Sequence, residues 1–92
     1  MATYLLFGKY SAEALTGISA KRSDDAKAIF KKHGGELKAA YATLGDVDLV
    51  MIADLPDNAR AMAASTALAK STGIAFTTAP ALMVDEFDKL AG

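Results

Sequence analysis

The stretch ELKAAYATLGDVDLVMIADL, residues 36–55, holds two apolar runs on either side of Gly45-Asp46. Glycine at the first central position of a two-residue loop favours a type II′ turn, which needs a positive φ there. The stretch therefore reads as a β-hairpin, with strands expected from Glu36 to Leu44 and from Val47 to Leu55. The turn also sets the register, because directly opposed residues of an antiparallel pair share one sheet face. With Leu44 opposite Val47, Thr43 faces Asp48, Tyr41 faces Val50 and Ala39 faces Ile52. One face then carries Leu37, Ala39, Tyr41, Thr43, Asp48, Val50, Ile52 and Asp54, and the other Ala40, Ala42, Leu44, Val47, Leu49, Met51 and Ala53. Both faces are mainly apolar, whereas an antiparallel sheet wetted on one side alternates apolar with polar. Each face needs a cover.

Upstream, Thr3 to Tyr10 is rich in aromatic and aliphatic residues and reads as a first strand, followed by Ser11 as a helix cap with Glu13 in the first turn. The helical signal breaks at Thr16–Ala20 and restarts at Ser23-Asp24-Asp25, so the first helix is expected in two pieces, ending at Lys31-Lys32-His33 before Gly34-Gly35. Downstream, Pro56 stops the hairpin and Asp57 or Asn58 caps an alanine-rich helix over Ala59–Ser71, closed by Gly73. Ile74 to Ala81 reads as a fourth strand whose Pro80 points to a sheet edge. Met83 to Leu90 reads as a short terminal helix anchored by Phe87 and Leu90. The order strand, helix, strand, strand, helix, strand predicts an α+β, ferredoxin-like βαββαβ sandwich: a four-stranded antiparallel sheet with helices on one face, plus a short C-terminal helix.

With 92 residues, no linker and no internal repeat, residues 1–92 read as a single domain. A net charge of −1 lacks the basic excess that phosphate neutralisation requires, so nucleic acid is not an expected partner. The absence of cysteine removes disulfides and thiolate metal sites. No apolar run approaches the roughly 18 residues of a membrane span, and no leader pattern opens the chain, so a cytoplasmic location is expected and a membrane is not a partner. There is no phosphate-cradling glycine loop, HExxH motif or calcium loop, and no metal or cofactor is expected.

Two helices cover one face of four strands and leave the other bare. The first strand repeats the two-sided pattern, with Tyr4, Leu6 and Tyr10 on one side and Leu5 and Phe7 on the other. Each large apolar side chain is worth about 1.5–3 kcal/mol on full burial, so such a face left wet forfeits much of a small domain's stability. The economical cover is a second copy of the chain, and a homodimer is expected.

Five residues stand out as candidate ligand contacts: Tyr10, His33, Tyr41, Thr43 and Asp48. Asp48 either accepts hydrogen bonds from nearby hydroxyls or turn amides and fixes the hairpin, or joins Tyr41 and Thr43 in a small pocket between sheet and helices, as a base or a cation anchor. Tyr10 ends the first strand on the face opposite Lys9, where its ring packs and its hydroxyl is free to meet a ligand. His33 is the only histidine, which excludes multi-histidine metal sites within one subunit; beside Gly34 it reads first as a helix-end cation and second as a proton shuttle or axial haem ligand. Lys21 and Arg22, between the two helix pieces, are able to recognise an anion, though such charges are commonly solvated. Small side chains on the alanine-rich helix either allow close approach to the sheet or leave room for a ligand.

The N-terminal TYLLFGKYSAEALTGI, the YATLGDVDLVMIADLPD hairpin and the closing helix together resemble the GYD-domain family of the dimeric α/β-barrel superfamily. The namesake motif of glycine, any residue, tyrosine and aspartate is matched by Gly45, Asp46, Val47 and Asp48, with valine at the tyrosine position. The resemblance implies a face-to-face dimer whose sheets form a barrel. Superfamily relatives include cofactor-free monooxygenases, isomerases, haem-degrading enzymes and amino-acid-sensing domains, so the fold alone does not select a chemistry. The expectation is a small homodimeric domain that binds a small apolar or aromatic ligand between sheet and helices, or serves as a structural module. The alternative is a cofactor-independent monooxygenase or isomerase using Asp48 or His33 with a tyrosine hydroxyl.

Overall fold

The computed structural model describes residues 1–92. Its elements are β1 (Ala2–Lys9), α1 (Ala12–Thr16), α2 (Ala20–Lys32), β2 (Glu36–Ala42), β3 (Leu49–Leu55), α3 (Asn58–Thr72), β4 (Ala75–Ala81) and α4 (Val84–Ala91). The strands form one antiparallel sheet in the order β2-β3-β1-β4. This is the ferredoxin-like arrangement, with Pro80 on an edge strand as its missing N–H requires. No helix is long and apolar enough to cross a membrane.

The helix boundaries follow local chemistry. Ser11 caps α1 by accepting from the Ala14 N–H at 3.0 Å. The break after α1 is as expected, but the cap of α2 is Ser19 rather than Ser23, its hydroxyl accepting from the Arg22 N–H at 3.3 Å. Ser19 wins because α1 already ends at Thr16, so the earlier serine meets the free amides first. Gly34 leaves α2 at φ +81° and Gly73 leaves α3 at φ +73°, both in the left-handed region that glycine enters without a Cβ penalty. Asp57 caps α3 by accepting from the Arg60 N–H at 2.8 Å.

The hairpin pairs as the sequence predicts from Ala39 to Ala42: Ala39 opposite Ile52, Ala40 opposite Met51, Tyr41 opposite Val50 and Ala42 opposite Leu49. Two details differ. A bulge between Leu37 and Ala39 puts Leu37 opposite Ala53, on the helix side rather than on the face of Tyr41. The connection is also wider than a two-residue turn, with regular pairing ending at Ala42 and resuming at Leu49. The Asp48 N–H donates to the Gly8 carbonyl at 2.9 Å, while the Thr43 hydroxyl donates to the Val47 carbonyl at 2.7 Å. The foot of β3 is thereby committed to β1, and Gly45 at φ +105° sits inside a looser loop.

The core lies between the sheet and α2 and α3. Tyr4 and Leu6 of β1 and Met51, Ala53 and Leu55 of β3 meet Phe30 of α2 and Ala61, Ala64 and Leu68 of α3, all buried. Tyr4 keeps its hydroxyl satisfied by donating to Asn58 Oδ1 at 2.6 Å. At Gly8 a Cβ would stand 2.9 Å from Ile74 Cγ2 and 3.0 Å from Phe76 Cε1, so the close neighbours that call for glycine belong to β4 and its approach.

The opposite face carries Leu5, Phe7, Val50 and Ile52, all only half-buried, and Tyr41, which is 57% exposed. The terminal helix is amphipathic, but Phe87 and Leu90 do not anchor it. With Val84 they remain exposed on one stripe, and no residue of α4 is buried.

Candidate functional site

A cleft of about 390 Å³ opens between α2, β2 and β3. Its origin is a mismatch of side-chain volumes. The C-terminal half of α2 reaches the sheet with Phe30, whereas the N-terminal half presents Arg22, Ser23 and Ala26 over Ala40. Facing small side chains leave space that a close-packed core would otherwise fill. Leu49, Met51 and Ile74 make the apolar floor, and Tyr10 stands at one end.

The alanines of α3 take the other course. Ala61 and Ala64 are buried against the sheet, so their small size brings α3 close; the vacant space lies under α2. Thr72, at the end of α3, borders the cleft with its hydroxyl already engaged, donating to the Leu68 carbonyl at 2.7 Å and accepting from the Ile74 N–H at 3.1 Å.

The cleft is lined by cations and by no carboxylate. Arg22 donates through Nη1 to the Ala14 carbonyl at 2.6 Å, at the C-terminal end of α1. A Cβ at Gly17 would run into Arg22 Nη2, so glycine there leaves the guanidinium its place. Lys38 is paired with Glu36 at 3.4 Å and Asp54 at 3.8 Å, whereas neither Arg22 nor Lys27 has a carboxylate partner.

Of the five candidate residues, Tyr10 lines this cleft. Asp48 stands just behind it, its carboxylate accepting from the Tyr10 N–H at 2.9 Å, and Thr43 donates its N–H to the Asp48 carbonyl at 2.9 Å. Tyr41 does not join them in a pocket under the helices. Its pairing with Val50 puts it on the helix-free face, beside Phe7 across β3. His33 is the C-cap of α2, at the far end of that helix from Arg22, with Nδ1 2.9 Å from the Ile29 carbonyl oxygen. No three His, Asp or Glu side chains gather as a metal site.

Lining residues that sequence reasoning passed over include Lys27, Ala26 and Ala40. A signal was present in the alanines, since Ala40 falls on the Met51 face of the predicted hairpin, but which turn of α2 lies over it depends on the helix position.

No curated protein matches the chain. Among solved structures, it is similar to the Mycobacterium tuberculosis leucine response regulatory protein LrpA, with a TM-score of 0.60 at 12% identity. The likeness covers 89% of this chain and 51% of that one, so the chain spans about half that protein's length and the similarity is one of fold. The model of the GYD domain matches residues 4–91, and the chain belongs to the GYD domain family.

Proposed function

We propose that the domain works as a homodimer and binds a small, mainly apolar or aromatic molecule in the cleft under α2. The observation that carries the binding reading is the cleft itself. Its volume of about 390 Å³ falls within the roughly 300–1,000 Å³ usual for small-molecule sites. Its floor is apolar, and Arg22, Ser23 and Lys27 of α2 add a few polar groups to the lining, the combination usual for such sites.

The dimer reading is supported by the helix-free face. Leu5, Phe7, Val50 and Ile52 form a continuous apolar patch across β1 and β3, with Tyr41 beside it on β2. A two-fold axis through this face would set it against itself and close the two sheets into a barrel. A structural module with an unused cleft is the plainer version of the same dimer. The catalytic alternative has less support, since Asp48 and His33 lie outside the cleft and their side chains already hold backbone groups.

Sedimentation velocity at low micromolar concentration, with NMR titration of aromatic fragments, tests both parts. A dimer is expected, with shift changes at the amides of Ala26, Ala40 and Ile74. A folded monomer would sink the barrel, and fragments that perturb only other surfaces would sink the binding site.

A further inference from the structure

We infer that the ligand of the cleft is an anionic amphiphile, its acidic group paired with the Arg22 guanidinium and its apolar body on the Leu49, Met51 and Ile74 floor. The assignment rests on the cleft being a binding site and names the chemical class it takes.

Three observations converge on Arg22. It is half-buried at the edge of an apolar space, where a charge without a counterion is unfavourable. It is held from behind by the Ala14 carbonyl, with Gly17 leaving it room, so its orientation is set before any ligand arrives. One of its five N–H donors is used in that contact, which leaves a fork able to meet a carboxylate, sulfonate or phosphate in two parallel bonds.

The surroundings favour an anion over a cation or a neutral molecule. No aspartate or glutamate lines the cleft. Lys27 borders it, about one turn and a half along α2 from Arg22, and has no ion-pair partner. Lys38 is paired with Glu36 and Asp54, so the two unpaired cations of the lining, Arg22 and Lys27, both belong to α2. A ligand with one anionic head and a hydrocarbon or aromatic tail satisfies both parts of this lining, whereas a hydrophilic phosphate ester would leave the floor wet.

The test compares two fluorescent probes with the same aromatic body, the anionic 8-anilinonaphthalene-1-sulfonate and the neutral N-phenyl-1-naphthylamine, on the full chain. The sulfonate is expected to bind more tightly, and Arg22→Gln to weaken it by about tenfold while leaving the neutral probe unchanged. Ala40→Phe, which fills the cleft, is expected to remove both. Equal binding of the two probes with no effect of Arg22→Gln overturns the anionic assignment but leaves the cleft a binding site. Failure of both probes to bind, or sulfonate binding that survives Ala40→Phe, overturns the site as well. Should Arg22→Gln fold poorly by circular dichroism, the probes are compared on the unaltered protein and on Arg22→Lys, which keeps the charge but loses the fork. Weaker sulfonate binding by the lysine variant then supports the pairing, and unchanged binding overturns it.

Discussion

The carboxylate of Asp48 accepts a hydrogen bond from the backbone N–H of Tyr10 at 2.9 Å, while the Asp48 N–H donates to the Gly8 carbonyl at 2.9 Å. One residue at the foot of β3 thus holds the end of β1 through both its side chain and its backbone. Tyr10, the residue so held, stands at the end of the cleft.

Asp48→Ala removes the side-chain half of this clamp and leaves the Tyr10 N–H without its partner. A part-buried hydrogen bond to a charged acceptor is worth about 1.5–3 kcal/mol, so unfolding in urea should move to a lower midpoint by a corresponding amount. Asp48→Asn, which keeps an acceptor oxygen, should lose less. Equal stability of the alanine variant and the parent protein would show that the bond contributes nothing net.

Gly8→Ala and Gly35→Ala should both destabilise, and Gly35→Ala more. The Cβ at residue 8 meets flexible side-chain carbons of Ile74 and Phe76, which can shift, and overpacking of this kind typically costs about 1–3 kcal/mol. The Cβ at residue 35 runs into the backbone carbonyl of Asp54 and the Leu55 side chain, where the strand itself must move. Thermal melts of the two variants rank them, and the reverse order would contradict the sheet geometry at the start of β2.

Tyr4 and Asn58 should couple. The phenol donates to Asn58 Oδ1 at 2.6 Å from a buried ring, tying β1 to the first turn of α3. In a double-mutant cycle of Tyr4→Phe and Asn58→Ala, the coupling energy should be about 0.5–1.5 kcal/mol. Strict additivity would mean that the two groups do not meet in solution.

Phe7→Lys and Ile52→Lys put charges in the middle of the helix-free face, away from the core. Under the proposed dimer each should shift sedimentation toward the monomer, and the thermal midpoint should lose its dependence on protein concentration. A dimer that persists in both variants would have to use another surface.

Much of the architecture was legible because it depends on local chemistry and on periodicity. Ser11 read as a cap, as did Asp57 or Asn58, while Gly34-Gly35 and Gly73 read as helix stops; Ser11, Asp57, Gly34 and Gly73 serve as such. The alternation on either side of Gly45 yielded the observed opposition of Ala39 to Ile52 and Tyr41 to Val50. The bulge at Lys38 left no comparable mark, since it answers the burial of Leu37 against Ala53 on the neighbouring strand. Of the candidate residues, Tyr10 reached the cleft, whereas Tyr41 went to the other side of the sheet. Polar residues at one end of a hairpin are easily grouped by type, but alternation separates them by face.

From composition and spacing alone follow the strand and helix order, the hairpin register from Ala39 to Ala42 and the two apolar faces, because these rest on backbone conformations and on a side-chain period of two. Which of the faces receives the helices was settled only in three dimensions, where α2 and α3 cover the side of Tyr4, Leu6 and Met51. The same holds for the cleft. Ala26 and Ala40 look ordinary in sequence, and become a vacancy only when packing sets one over the other while Phe30 props the far end of α2 against the sheet.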